Sequence, residues 1–204
     1  MKKIILILAT ILLIPACLFA ETENVGFGEE ANFYLGSGLV LPNIDIPDGV
    51  DITPKPGLAF GANYLWYHKE RLATGLEFFS QQGDYDVNGR KNTLGGTYFN
   101  LNLSNKYVFG NLENKITGYV PFGIGFGTVQ IRKDLPLSQV GQETTKSSGF
   151  TWFVGLGGDY HINEKYLVGL EGRLTQNFFK KTSTKTVKSY FWSTSLVAKF
   201  GIKF

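Results

Sequence analysis

From Phe33 to the end of the chain, apolar residues alternate with polar or small ones at a period of two, with gaps where the alternation lapses. The last stretch shows it most cleanly. Its even positions are Tyr190, Trp192, Thr194, Leu196, Ala198, Phe200, Ile202 and Phe204, and its odd positions are Phe191, Ser193, Ser195, Val197, Lys199, Gly201 and Lys203. A period of two sends successive side chains to opposite faces of a β-strand, so this segment has one apolar, aromatic-ended face and one small or cationic face. It is long enough for the roughly 9–11 tilted residues with which a strand crosses a bilayer.

The same pattern predicts seven earlier strands, over residues 33–41, 58–68, 72–80, within 94–109, and over 116–131, 150–162 and 166–175. Residues 21–31 form a polar lead-in without a strand signal. Ser37 and Asn105 are polar interruptions of otherwise apolar faces. The connections alternate in length: 42–56, 81–93, 132–149 and 176–188 are long, whereas 69–71, 110–115 and 163–165 are short. Bacterial outer-membrane barrels have even strand numbers, short periplasmic turns and longer extracellular loops. The expected fold is therefore all-β: an eight-stranded antiparallel up-and-down transmembrane β-barrel with both termini at the periplasmic end.

Lys2 and Lys3 precede an apolar run from Ile4 to Ile14, followed by Pro15, a short stretch ending at Ala20, and the polar Glu21. This pattern predicts a secretory signal peptide over 1–20 and a single barrel domain over 21–204. The sole cysteine, Cys17, follows Ile14, Pro15 and Ala16, which leaves lipidation at Cys17 open as an alternative to cleavage after Ala20. No later stretch approaches the ~20 apolar residues of a membrane helix. The 25 glycines in 204 residues exceed the usual ~7%. The formal charge of +3 falls towards neutrality once the two leader lysines are removed, which argues against a nucleic-acid binder.

Charge placement separates a membrane barrel from a soluble carrier, whose inner face would be apolar. One face collects Glu77, Asp159 and Glu171 with Lys106, Arg173 and Lys199, and the opposite face of those strands is uncharged. The six are predicted to form a lumen ion network. Glu77, Lys106, Glu171 and Lys199 are expected to share a layer, because they lie at similar distances from the periplasmic strand ends. An eight-stranded barrel is just wide enough for side chains to fill it, so paired charges read as a plug. The inner glycines 123, 125, 127, 155 and 157 are expected to make room for Tyr67, Phe79, Tyr119, Phe153 and Phe191. Aromatic girdles are predicted on the lipid face, with Trp66, Tyr107, Tyr160, Tyr166 and Phe204 at one end and Phe78, Phe99, Trp152 and Trp192 at the other.

No catalytic, cofactor or metal site is predicted. His68 and His161 fall at periplasmic strand ends, and Asp159 lies near His161 without a serine or cysteine nucleophile beside them. One cysteine and two separated histidines do not make a typical metal site. Gly123, Gly125 and Gly127 precede no helix, so they are not a phosphate loop. The fourth long loop carries Lys180, Lys181, Lys185 and Lys188 with no acid, and closure of the barrel sets it beside the first, which carries Asp45, Asp48 and Asp51 against Lys55. These loops are expected to attract one another, and a polyanion is the alternative partner for the lysines.

The segment from Tyr119 to Gly127, a tyrosine followed by glycine-spaced apolar residues, and the aromatic-ended last strand resemble the small eight-stranded outer-membrane barrels. These are the opacity-type surface proteins and the barrel half of the outer membrane protein A family, and the likeness runs from Phe33 to Phe204. The resemblance implies recognition of the last strand by the barrel-assembly machinery and a bacterial outer-membrane location. Other expected partners are membrane lipid and lipopolysaccharide, with no nucleic acid and a monomeric state. The chain stops at Phe204, so no peptidoglycan-binding domain, and no anchoring role, is expected. The expected function is a non-enzymatic, adhesin-like or envelope-structural surface protein acting through four extracellular loops. A narrow channel or small-molecule transport barrel is the alternative, and a lipid A-modifying enzyme the third.

Overall fold

Each alternating segment can satisfy its backbone by pairing with its neighbours, and pairing the last strand with the first removes the free edges that an open sheet would leave. The computed structural model describes residues 28–43, 51–110, 114–133, 143–179 and 189–204. Its strands are β1 (Glu29–Asn43), β2 (Ile52–Lys55), β3 (Gly57–Lys69), β4 (Leu72–Val87), β5 (Arg90–Phe109), β6 (Ile116–Lys133), β7 (Glu143–His161), β8 (Tyr166–Phe179) and β9 (Ser189–Lys203). The eight long ones form a closed antiparallel barrel in chain order, sealed where β9 runs along β1 from Tyr190 opposite Asn43 to Lys203 opposite Glu30. The described residues contain no helix.

The short β2 continues β3 across Pro56 and is not a ninth stave. Lys55 lies opposite Asp84 and Ala59 opposite Gln81, so the pairing with β4 slips by one residue where proline offers no N–H to the ladder.

Several strands outrun their predicted ends. The predicted loop over 81–93 is instead the tip of the β4–β5 hairpin, closed by Asn88 and Gly89 with φ of 51° and 73°. Two consecutive positive φ angles match the right-handed twist of a two-residue hairpin, and Asn-Gly is the pair that adopts them most readily. The tip reads as a loop because the outward positions Gln82 and Asp84 are polar, which ends the apolar alternation while the pairing continues. In the same way β6 reaches Lys133, β7 begins at Glu143 and β8 reaches Phe179. At the chain start, β1 begins at Glu29, inside the predicted lead-in, which adds Glu30 and Asn32 to the inner face. The predicted signal peptide with Cys17, Asp45 and Asp48 of the first predicted long loop, and Lys180, Lys181, Lys185 and Lys188 lie outside the described residues. At the short-turn end, Asn163 Oδ1 accepts the backbone N–H groups of Lys165 and Tyr166 at 2.9 and 2.8 Å.

Outward faces are apolar and exposed all round, with Leu35, Leu101, Phe126 and Leu196 each more than half exposed. A continuous apolar belt of this kind on the outside of a barrel needs an apolar surrounding. The two polar interruptions are satisfied within it. Ser37 donates to the Gly57 carbonyl at 2.9 Å, and Asn105 accepts the hydroxyl of Thr74, its cross-strand neighbour, at 2.8 Å. Trp66, Tyr107, Tyr160, Tyr166 and Phe204 sit outward near the short-turn end, where Trp66 meets Tyr64 edge-on at 5.1 Å. Towards the other end Phe78 stacks on Phe99 at 6.3 Å, and Trp152 meets Trp192 at 5.8 Å.

Candidate functional site: the charged barrel interior

Because inward positions recur every second residue, the charges on the inner faces of separate strands meet inside the barrel. Nearest the short-turn end, β1, β5, β7 and β9 bring together Glu30, Lys106, Asp159 and Lys199. Lys106 Nζ lies 2.7 Å from Glu30 Oε1 and 2.9 Å from Asp159 Oδ2, and Lys199 Nζ lies 2.6 Å from Asp159 Oδ1. Two carboxylates face two ammonium groups, and all four side chains are buried. Tyr67 donates its hydroxyl to the other oxygen of Glu30 at 2.8 Å.

Further along the axis, β4 and β8 supply a second cluster. Arg173 grips Glu77 through two bonds, Nη1 to Oε1 at 2.8 Å and Nη2 to Oε2 at 2.9 Å, while its Nε donates to Glu171 Oε1 at 2.9 Å. A planar guanidinium fits a carboxylate in this two-pronged way, and its flat faces accept aromatic rings. Phe79 and Phe153 lie at 4.4 and 4.3 Å from the guanidinium carbon. Asn102 Nδ2 adds a bond to Glu77 Oε1 at 3.0 Å.

Tyr119 joins the clusters. Its hydroxyl donates to Glu171 Oε2 at 3.0 Å, and its ring lies 4.0 Å from Lys199 Nζ and 4.8 Å from Lys106 Nζ. The ring fits because Gly157 opposite it has no side chain, and a Cβ there would overlap the ring atoms. At the long-loop end the lumen is capped by Val40, Tyr85, Tyr98, Val129 and Phe191, all buried, with Tyr98 and Phe191 in ring contact at 5.6 Å.

The six predicted lumen residues are thus all buried and ion-paired, but the four expected to share a layer, Glu77, Lys106, Glu171 and Lys199, fall into two clusters. Lys106 and Lys199 pair with Glu30 and Asp159, whereas Glu77 and Glu171 pair with Arg173. Counting residues from strand ends ignores the tilt and stagger that closing a barrel imposes. Glu30 is absent from the predicted network because it sits in a polar lead-in. Extending the alternation back from Tyr34 through Asn32 reaches it.

The short-turn mouth opens into a recess of about 360 Å³, lined by Tyr67, Glu70, Lys106, Thr117, His161 and Lys203 among others. There His161 Nε2 lies 3.0 Å from Thr117 Oγ1, a neighbour not expected from the sequence. Asp159 is engaged by Lys106 and Lys199, so the acid that would orient the imidazole for hydroxyl activation is already committed. His68 lies near the end of β3. Among the described residues, no group of three or more His, Cys, Asp or Glu side chains is placed to hold a metal ion.

A family model described as the outer membrane protein beta-barrel domain matches residues 6–200. Among solved structures, Neisserial surface protein A is similar at a TM-score of 0.56 and 14% identity, over 85% of this chain and 97% of that one. The outer membrane protein OprG from Pseudomonas aeruginosa is similar at a TM-score of 0.55 and 17% identity, over 87% of this chain and 96% of that one. At these identities the likeness is one of fold. A sequence search of curated proteins gives no match.

Proposed function

The chain belongs to the outer membrane protein β-barrel domain family, and from that premise we propose that it is a non-enzymatic surface protein that acts through its long-loop end. The observation that carries this reading is the filled interior: two ion clusters and an apolar cap occupy the lumen in series. Eight strands leave no room for a water-filled path around such side chains, which weighs against the channel and transport alternatives. The long-loop end is then the part left to meet partners. The β4–β5 hairpin rises there with Gln82 and Asp84 turned outward, and Lys55 on β2 pairs with Asp86 at 3.0 Å. Against the enzyme alternative stands the position of His161 at the opposite mouth, beside an aspartate committed to two lysines.

In this proposal the short turns face the periplasm and the long loops face outward, as the loop lengths suggest. Membrane lipid and lipopolysaccharide surround the apolar belt, and the aromatic-ended β9 is the segment read by the barrel-assembly machinery. Single cysteines introduced at Asn88 and at Asn163 test it, because residues 21–204 contain none. An impermeant maleimide should label the Asn88→Cys protein on intact cells and the Asn163→Cys protein after permeabilisation alone. The reverse pattern, or no labelling of Asn88→Cys on cells that hold folded barrel, would refute surface display.

A further inference from the structure

We propose that the barrel interior binds one hard monovalent cation, of the sodium or potassium class, in an oxygen-lined niche over Gly125 and Gly127 of β6. The first support is a group of buried acceptors with nothing to accept from. Asn100 Oδ1, Asn102 Oδ1, Thr151 Oγ1 and Asn177 Oδ1 have no hydrogen-bond partner, and each residue is no more than 4% exposed. They belong to neighbouring strands around one side-chain-free floor. Gly125 lies opposite Asn102 on one side and Thr151 on the other, Gly127 lies opposite Asn100, and Thr151 lies opposite Asn177. A Cβ built on Gly125 would sit 2.6 Å from Asn102 Oδ1, and one on Gly127 would overlap Asn100 Oδ1 and sit 3.2 Å from Asn177 Oδ1. Over Gly127 the oxygens therefore crowd the space that the missing side chain vacates, whereas over Gly125 that space is shared with the Leu101 carbonyl oxygen. For Asn102 the orientation is dictated, because its amide N–H donates to Glu77 and turns the carbonyl oxygen away from that carboxylate.

The second support is charge. The cluster at the short-turn end is balanced, two carboxylates against two lysines, but the second sets Glu77 and Glu171 against Arg173 alone. Among the described residues this second cluster is short of one positive charge, and Asn102 connects it to the niche. Burying an uncompensated charge is strongly unfavourable. Water donating to the four acceptors would leave the charge uncompensated, and a proton on Glu77 or Glu171 would leave the acceptors unpaired, so the competing arrangement needs both together. One cation resolves both. Neutral amide and hydroxyl oxygens suit a monovalent ion, as carbonyl oxygens do when they replace a hydration shell, whereas calcium-type sites draw on carboxylates.

The test uses the purified full barrel refolded in detergent, with thermal unfolding followed in sodium, potassium and choline chloride at equal ionic strength. The midpoint should be several degrees higher in sodium or potassium than in choline, and the difference should saturate with concentration. It should vanish in Glu171→Gln, which leaves Arg173 with one carboxylate, and in Gly127→Ala, whose methyl takes up the niche. Crystals soaked in a thallium(I) salt should show an anomalous peak between Asn100 and Asn177. Equal midpoints in all three salts with no thallium peak would overturn the proposal, as would a salt difference that persists in both variants. Loss of a protonated-carboxyl infrared band in Glu171→Gln, without any salt difference, would assign the missing charge to a proton and overturn it as well. Should Gly127→Ala fail to fold, Glu171→Gln and the thallium peak decide.

Discussion

Replacing Arg173 by methionine keeps much of the side chain's volume between Phe79 and Phe153 and removes its charge. Glu77 and Glu171 would then face each other without the guanidinium that now bonds both, at 2.8 and 2.9 Å to Glu77 and 2.9 Å to Glu171. Removing one member of a buried ion cluster costs about 3–5 kcal/mol, because the remaining charge stays buried and uncompensated. With a urea m-value of about 2–3 kcal/mol/M, the unfolding midpoint should fall by about 1–2 M. Glu77→Gln is the control, since it leaves one carboxylate for one guanidinium and should cost about 1–2 kcal/mol through weaker hydrogen bonds. Both variants and the parent are unfolded in urea in matched detergent micelles, followed by the fluorescence of Trp66, Trp152 and Trp192. If Arg173→Met shares the parent's midpoint at an unchanged m-value, the ion clusters do not hold the interior as described.

Asn105→Leu alone should destabilise the barrel by about 1–2 kcal/mol, because Thr74 loses its acceptor in the apolar belt; Thr74→Val added to it should restore most of that, measured by the same urea unfolding. Gly157→Val sets a side chain into the Tyr119 ring and breaks the bridge to Glu171, so it should abolish the folded, heat-modifiable gel species; a normal yield of that species would contradict the packing. Deleting Phe204 should lower the amount of folded protein in outer-membrane fractions, and an undiminished level would show that the aromatic terminus is dispensable for assembly.

The sequence discloses most where the solvent differs on the two sides of a strand. Between Leu58 and Trp66, apolar surroundings outside and a polar lumen inside enforce strict alternation, and the faces read from it are the faces in the structure. Past the apolar belt that contrast disappears. Gln81 to Tyr85 pair in register like any other strand, with a shift before Val87, yet the outward Gln82 and Asp84 are polar, and the one local signal for the hairpin is the Asn88–Gly89 turn. Glu30 was hidden for the same reason, at the other end of the barrel. Which inner charges meet is a further step removed, because it depends on the stagger between strands and on Tyr119, whose ring and hydroxyl link the two clusters. No pattern along a single strand encodes that. Thr117 beside His161 is likewise a cross-strand neighbour, brought there by the β6–β7 register.

The most direct test of a filled interior is electrical. Purified, refolded and gel-homogeneous barrel, inserted into a planar lipid bilayer at high potassium chloride concentration, should give no discrete conductance steps above the lipid baseline. Reproducible, stable steps that scale with the number of inserted barrels would contradict a lumen closed by the Glu30–Lys106–Asp159–Lys199 and Glu77–Arg173–Glu171 clusters and the Tyr85–Tyr98–Phe191 cap.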